Sequence, residues 1–376
     1  YQISNMQTLT GTTGAQLEAV RKKALDRGAA TQFSSIEAAQ GMTELLKAGL
    51  SVEDVLGGAS EAALNLAAAG ELTLPEAAEV MSTAMNAFHM KDAAHAADIL
   101  AGAANASATD VHELRYSLAA CSAVAAGVGM SFDDTNTALA VFAQNGFKGS
   151  DAGTSLKTML SRLEPMTKSQ VGAFQQLGLM TEQGTSAFYD SEGRMKSLAD
   201  IAGLLHERMG DLTNEQQQRL LYEMFGSDAL RGGMILLHEG ADGVKKMHDE
   251  MTKYTASDVA RVKWDNAKGD IVRLESAFQN FQITALAPLE PAISKISKAL
   301  TDFFSGSADG AAKSVAEVSQ SISDFIDELS GDEAFQNMDW GDKIVYVLDR
   351  MMEAIDKWAS GPGGEQFGKV MTKLAE

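Results

Sequence analysis

A helix-start signal recurs along this sequence and divides it into many short segments. The signal is Ser or Thr followed three residues later by an acidic residue or Gln, a capping box in which each side chain pairs with a backbone N–H that the helix leaves free. The pairs are Thr13/Gln16, Ser34/Glu37, Ser51/Asp54, Thr73/Glu76, Ser131/Asp134, Thr167/Gln170 and Thr213/Gln216. This many start signals predict an all-α protein built from a multi-helix array.

Glycines mark the predicted ends of these helices. A glycine just beyond the last helical residue adopts the left-handed conformation without steric cost and so stops the helix. The predicted stops are Gly28, Gly49, Gly70, Gly146, Gly178 and Gly226. Starts and stops together predict helices of about 10 to 18 residues joined by short loops.

The segments between about residues 34 and 147 look repetitive. Residues 36–39 (IEAA) resemble residues 75–78 (PEAA), an offset of 75 − 36 = 39, and residues 111–114 (VHEL) open a third unit at 111 − 75 = 36. Each unit contains a helix, a break and a second helix. Pairs at this period favour stacked helical hairpins of the solenoid kind. The identity between units is weak, so an irregular helical bundle remains an equal alternative.

One stretch departs from the helical pattern. Residues 187–195 (AFYDSEGRM) have a turn-rich centre between residues that tolerate strands. This composition predicts a small hairpin or an ordered loop. Because an isolated hairpin is only marginally stable in water, we expect it to pack against the helices.

An apolar stripe with heptad character begins after residue 256. Its members, spaced alternately four and three residues apart, are Ala260, Trp264, Ala267, Ile271, Leu274, Phe278, Phe281 and Ala285. We refer to these eight residues as the seam, since such spacing is typical of helices that associate lengthwise. Two interpretations stay open. The seam packs against the globular part of its own chain, or it binds partner helices, including those of other copies.

The sequence thus predicts three regions. Residues 1–255 form a globular helical core, and residues 256–305 form longer amphipathic helices with heptad character. Residues 306–376 form a C-terminal helical segment that ends in a Gly/Pro linker at residues 360–364. The chain opens on Tyr1 with no signal-peptide pattern, which indicates a fragment of a longer protein.

The charge balance limits the classes of partner. The formal net charge is −20, and an acidic surface repels phosphate backbones and anionic lipids. We therefore expect no specific nucleic-acid binding. An acidic surface would, however, let DNA slide past it without sticking. The longest uncharged run, residues 116–132, is too rich in Ala, Gly and Ser for a stable membrane span. It predicts a buried helix that ends near Gly127.

A search for chemistry finds no complete site. His112, His206 and His238 each precede a Glu, but a zinc-protease helix needs a second His four residues on, where Tyr116, Gly210 and Asp242 stand. The pair Asp133 and Asp134 opens a helix, where negative charge is favourable. Cys121 lies in an Ala-rich run and predicts a buried thiol. We expect no catalytic residues, no cofactor and no metal.

Several short blocks follow one another along the chain. They are residues 31–39 (TQFSSIEAA), 47–51 (KAGLS), 64–70 (LNLAAAG), 97–107 (ADILAGAANAS), 146–157 (GFKGSDAGTSLK), 177–179 (LGL) and 225–226 (FG). Taken in order, they resemble the core region of the bacteriophage tail tape-measure family, over about residues 6–304. Each block is weak alone, but their order and spacing over this length make chance agreement improbable.

The resemblance implies a structural component of the virion with no enzymatic activity. Members of that family lie inside the growing tail tube and set its length, after assembly in the host cytoplasm. The implied partners are the tail tube protein, tail assembly chaperones and other copies of the chain. Two alternatives remain, a helical-repeat scaffold for protein interactions and a membrane-perturbing effector released during DNA ejection.

Helix geometry qualifies the tape-measure interpretation. A ruler works because a continuous helix rises about 1.5 Å per residue. Residues 1–255 are interrupted too often to form such a rod. We expect this part to be a compact domain near one end of the ruler, and the seam to begin or join an elongated portion.

Overall fold

The computed structural model describes residues 14–181 and 184–265. These lie in the first of two compact units, Tyr1–Ala285, and the second unit is Leu286–Glu376. Three predictions fall outside the described residues. They are the start signal at Thr13, the longer amphipathic helices of residues 256–305 beyond residue 265, with the seam beyond Trp264, and the helical segment with its linker over residues 306–376.

The described residues are helical almost throughout, and the predicted all-α array is confirmed. The helices are α1 (Gly14–Ala30), α2 (Ser35–Lys47), α3 (Val52–Asp54), α4 (Ser60–Gly70), α5 (Leu74–Phe88), α6 (Ala93–Ala106), α7 (Val111–Gly127), α8 (Phe132–Gln144), α9 (Gly149–Leu160), α10 (Lys168–Gln176), α11 (Leu198–Met209), α12 (Asn214–Phe225), α13 (Ser227–Met251) and α14 (Ala256–Trp264). A π-helical turn, Val55–Ala59, joins α3 to α4.

The predicted start signals form real caps. Five of the predicted signals form complete capping boxes, with both reciprocal hydrogen bonds, at Ser34, Ser51, Thr73, Thr167 and Thr213. Another complete box, which the predicted set lacks, begins α14 at Thr255. Ser131 forms only half of one, because its side chain accepts from the Asp134 N–H while the Asp134 carboxylate binds elsewhere. Local sequence therefore fixes most of the helix starts.

The predicted stops are mostly correct. Gly49, Gly146, Gly178 and Gly226 have positive φ, as a glycine stop requires. The stop at Gly28 is wrong, because α1 continues to Ala30 and Gly28 instead lets the backbone of Ser35 approach closely. α4 does end at Gly70, but Glu71 takes the left-handed conformation with a φ of 55°.

Residues 35–160, helices α2 to α9, form stacked hairpins that we call the array. Helices α2, α5, α7 and α9 pack side by side as a first row, and α4, α6 and α8 form a second row behind it. Side chains tie each unit to the next at the repeat distance. Asn86 bonds the Ala48 carbonyl 38 residues back, and Arg115 pairs with Glu79 36 residues back. The array therefore matches the solenoid-like alternative.

A third row covers the other side of the second row. Helix α14 packs on α4 and α6, and α13 packs on α6, α8 and α9. Because the second row has neighbours on both faces, its helices are apolar nearly all round. In α6 the buried residues are Ala93, Ala96, Ala97, Ile99, Leu100, Ala101, Gly102 and Ala103.

Residues 168–265, helices α10 to α14, are not repetitive, and we call them the C-terminal helices. The rings of Phe174, Phe188 and Phe225 are fully buried against one another, with centroids 5.7 to 6.5 Å apart. Phe188 comes from residues 187–195, predicted as a small hairpin or an ordered loop, where one isolated antiparallel bridge joins Tyr189 to Met195. A second bridge, Met180 with Ser186, lies just before this stretch. As expected, this hairpin packs on helices.

Candidate functional site

A group of ionisable side chains lies where the array meets the C-terminal helices, at the start of α8. Asp133 Oδ1 is 2.8 Å from His95 Nε2 of α6, and Asp134 Oδ2 accepts a hydrogen bond of 3.2 Å from the Leu198 N–H that opens α11. Burial is the main influence on Asp134 and raises the pKa of its carboxyl. Asp133 and Asp134 lie at a helix start, as predicted. The Asp133 carboxylate connects α8 to α6, and the Asp134 carboxylate connects α8 to α11.

Of the three histidines that precede a Glu, His112 and His206 make structural contacts, and His238 is exposed. The ring of His112 lies edge-on to Tyr116. His206 Nδ1 is 2.9 Å from the Leu237 carbonyl oxygen, next to a break in α13 at Gly240, where φ is 59°. A hydrogen bond there requires the proton on Nδ1. Within residues 14–181 and 184–265, no three His, Cys, Asp or Glu side chains are grouped so as to hold a metal ion.

Helix α7 carries the uncharged run that the sequence predicted to be buried. The helix ends at Gly127 as predicted, and Cys121 is buried, which raises the pKa of its thiol to about 12. Only one face of α7 is buried, however, since Tyr116 is 46% exposed and Ala123 is also exposed. None of the described helices combines the length and the apolar character needed to cross a bilayer.

The described part of the seam contacts its own chain. Ala260 is buried, and the half-buried Trp264 donates a 3.1 Å hydrogen bond from Nε1 to the Ala68 carbonyl in α4. The remaining seam residues lie outside the described part of the chain, namely Ala267, Ile271, Leu274, Phe278, Phe281 and Ala285. Binding of partner helices along the seam therefore remains a prediction.

Sequence reasoning missed the side chains that hold α14 in place. The carboxylate of Asp98 in α6 accepts a 2.7 Å hydrogen bond from the Ala256 N–H at the start of α14. Near the other end, Lys263 Nζ lies 2.9 Å from Glu71 Oε1. The helix start itself carries a local capping box, Thr255 with Asp258. Asp98 is 158 residues away from Ala256 along the chain, so no local pattern signals its additional bond.

Charge is distributed unevenly over the described residues. The array holds 15 Asp and Glu against 5 Lys and Arg, a balance of 5 − 15 = −10. Exposed pairs such as Arg115 with Glu79, 2.7 Å apart, neutralise only part of this charge. The array therefore has a negatively charged surface. Asp98, Asp133 and Asp134 connect one helix to another.

Comparison with known proteins gives the family. Residues 21–226, which are 226 − 21 + 1 = 206 of the 376, match the model of the phage-related minor tail proteins. The chain belongs to this family. The matched residues of this tail protein run from within α1 to the end of α12, so they include the whole array and the phenylalanine cluster.

Two curated relatives of the tail protein agree with the resemblance to the tape-measure family, which is confirmed. The tape measure protein of Pneumococcus phage Dp-1 is 32% identical over 304 residues, 80% of this chain and 26% of the relative. The probable tape measure protein of Escherichia phage P2 is 26% identical over 314 residues, 80% of this chain and 37% of the relative. The chain thus spans well under half the length of either. No solved structure matches the tail protein.

Proposed function

We propose that this chain is the packed core of a tape-measure protein, which acts in tail assembly and tail-length determination inside the tail tube. The observation that carries the proposal is the family match over residues 21–226, together with the two relatives named for tape measure. The tail tube protein, the assembly chaperones and other copies of this chain are the proposed partners. Assembly takes place in the host cytoplasm.

The geometry supports separate roles for the packed array and for elongated segments of such a protein. A helix converts residues into length at about 1.5 Å per residue only where it is continuous. The longest described helix, α13, has 25 residues and is broken at Gly240. The array folds back on itself instead of extending. We infer that it organises the assembly near one end of the ruler, while length comes from elongated segments beyond it.

The proposed role requires no catalytic residue. His95 and Asp133, a pair of the kind that a hydrolase could use, instead join two helices at 2.8 Å. The acidic array also suits contact with passing DNA without tight binding, because negative charge near a phosphate backbone is repulsive. These features support a structural role without specific nucleic-acid recognition.

A pair of deletions in the full-length parent gene tests the proposal. Removing residues 74–110 deletes one hairpin unit of the array and is expected to prevent normal tails from forming. Removing 37 residues from an elongated helical segment of the parent is expected to shorten tails by about 55 Å, at 1.5 Å per residue. Electron microscopy of tails measures both. Graded shortening by the array deletion, or normal tails from both deletions, contradicts the proposal.

The stacked hairpins also favour a second candidate, a general scaffold for protein interactions. Solenoid repeats expose extended surfaces that many unrelated partners use. The deletion of residues 74–110 distinguishes the two candidates. A scaffold without a role in the tail leaves tail number and tail length unchanged when the array is disrupted, whereas a tape-measure core does not.

A further inference from the structure

Helix α7 has one face that the other described helices leave uncovered. His112, Tyr116, Ala119, Ala123 and Gly127 are all exposed, and they follow one another at steps of three or four residues. Residues at this spacing lie along one side of a helix. At 1.5 Å per residue the exposed side is about 22 Å long. We call these five residues the α7 track.

The α7 track carries no charge over most of its length. No Asp, Glu, Lys or Arg occurs between Tyr116 and Gly127, whereas the solvent side of a surface helix is normally charged or polar. The ring of Tyr116 is 46% exposed, and the next two track residues are alanines. On a chain with a net charge of −20, an uncharged exposed face indicates a contact surface.

The surface around the α7 track is acidic. Helices α2, α5, α7 and α9 of the first row hold six acidic and three basic side chains, a balance of 3 − 6 = −3. Two of the bases are already paired with acids of the same row, Arg115 with Glu79 at 2.7 Å and Lys47 with Glu44 at 2.9 Å. The third base is Lys157 of α9. This row therefore attracts partners that carry positive charge.

Charge and shape together select the occupant of the α7 track. A second copy of this chain brings its own charge of −20 and is repelled, and a nucleic acid or an anionic membrane is repelled in the same way. A helix with an apolar stripe between basic residues fits both features. Its large apolar side chains have room over Ala119 and Ala123, and its Lys and Arg residues face the acidic row.

We propose that the α7 track is a docking site for a basic amphipathic helix of another protein, whose apolar stripe lies on Ala119 and Ala123 beside the Tyr116 ring. The inference deepens the proposed function by giving the chemistry of one partner of the array. It rests on that function only in taking the partner to be a protein of tail assembly, since docking itself is a property of the isolated chain.

Two designed peptides test the charge of the occupant. Both have leucine along one helical stripe, and one carries lysine and the other glutamate at every flanking position. In isothermal titration calorimetry with the 376-residue chain, we expect the lysine peptide to bind about ten-fold more tightly than the glutamate peptide. Equal affinities overturn the proposal. So does a lysine peptide that fails to bind, as when another segment of this chain covers the α7 track.

Two variants with the same change of charge test the location. Ala123→Lys places a charged side chain in the middle of the α7 track, whereas Ala19→Lys adds the same charge at an exposed position of α1. We expect Ala123→Lys to weaken binding of the lysine peptide by about ten-fold and Ala19→Lys to change it by less than about two-fold. Circular dichroism verifies that both variants fold. Equal weakening means that the peptide follows only the overall negative charge, which overturns the site.

Analytical ultracentrifugation of the chain without peptide tests a second copy as the occupant. We expect the original chain and both variants to sediment with the same dependence on concentration. Self-association that Ala123→Lys abolishes and Ala19→Lys preserves would assign the α7 track to another copy and overturn the proposal. Failure of the proposed function would appear separately, as unchanged tails in the phage deletion experiment, with peptide binding intact.

Discussion

The array and the C-terminal helices both bury apolar surface between helices, but the array uses small side chains and the C-terminal helices use large ones. In the second row of the array most buried residues are Ala or Gly, and helix backbones come so close that a methyl group on Gly102 would meet the Met251 carbonyl. The C-terminal helices instead surround the rings of Phe174, Phe188 and Phe225. The array carries a net charge of −10, while residues 168–265, with 11 basic and 15 acidic residues, carry 11 − 15 = −4.

This difference shows what each kind of side chain permits. Small residues on several faces let a helix accept neighbours on two sides, so the same hairpin can be stacked repeatedly. Large rings fill one irregular space and fix one arrangement of the helices around it. The array therefore depends on close approach of backbones, whereas the C-terminal helices depend on the volume of a few aromatic side chains.

The largest expected effect tests the aromatic half of this comparison. Phe188→Ala removes a fully buried ring from the cluster and should lower the free energy of unfolding by about 3–5 kcal/mol. Urea denaturation followed by circular dichroism measures the loss. Tyr189→Ala, at the neighbouring and only half-buried position, should cost less. Similar losses for the two variants would contradict a ring-dependent core.

A glycine pair tests the small-residue half. Gly102→Ala places a methyl group against the Met251 carbonyl oxygen and should destabilise the protein by about 1–3 kcal/mol. Gly172→Ala in α10 meets nothing within 4 Å and should stabilise it by about 0.5–1 kcal/mol, the ordinary gain of alanine in a helix. Thermal unfolding compares the two. The same sign for both would refute close backbone packing at Gly102.

A capping box should contribute the same free energy of unfolding in the array and in the C-terminal helices. Thr73→Ala in the array and Thr213→Ala in the C-terminal helices each remove a side chain that accepts from the third backbone N–H of its helix. Both should lower the free energy of unfolding by about 1 kcal/mol, because the bond is local. If one variant costs several times more than the other in chemical denaturation, the caps depend on tertiary packing.

The smallest effects concern pH, at Asp134 on the junction between the regions and at Glu76 within the array. Burial raises the pKa of Asp134 above its ordinary 3.8, so folding favours its protonated form, and its contribution to stability falls as pH rises through the folded pKa. The hydrogen bonds of Thr73 lower the pKa of Glu76 below its ordinary 4.5, so its contribution is lost as pH falls.

Two amide variants measure these opposite slopes. Asp134→Asn should gain stability relative to the original protein as pH rises, and Glu76→Gln should lose stability over the same change. Urea denaturation at a series of pH values from about 3 to 7 gives the difference for each variant. Parallel slopes for the two would show that burial does not govern Asp134.

Local patterns predicted much of this architecture. Ser34, Thr73 and Thr213 are recognisable as caps because their partners lie three residues away, and the sequence alone indicates a repeat at offsets of 39 and 36 residues. It also predicts a hairpin or an ordered loop around Phe188. The predicted stop at Gly28 is wrong because a glycine required for close packing and a glycine required for positive φ look the same in a sequence.

The hydrogen bond between Asp134 and α11 could not be predicted from the sequence for a related reason. Asp134 lies three residues after Ser131, a spacing that predicts a capping box. Its carboxylate instead accepts from the Leu198 N–H, 64 residues away. The exposure of one face of α7 could not be predicted either, because an uncharged run does not indicate which of its faces packs against another helix. Both features depend on helices brought together from distant parts of the chain.

The sequence by itself determined where many of the helices begin and end, because capping and left-handed glycines depend on residues within one turn. It also carried the family resemblance, and it indicated the repeat without deciding between a solenoid and an irregular bundle. Only the tertiary structure decided that α4, α6 and α8 lie between two other rows, and that Asp98 holds the start of α14. Those outcomes depend on contacts between residues far apart in the chain, and each such contact forms only when a whole helix face is already in position.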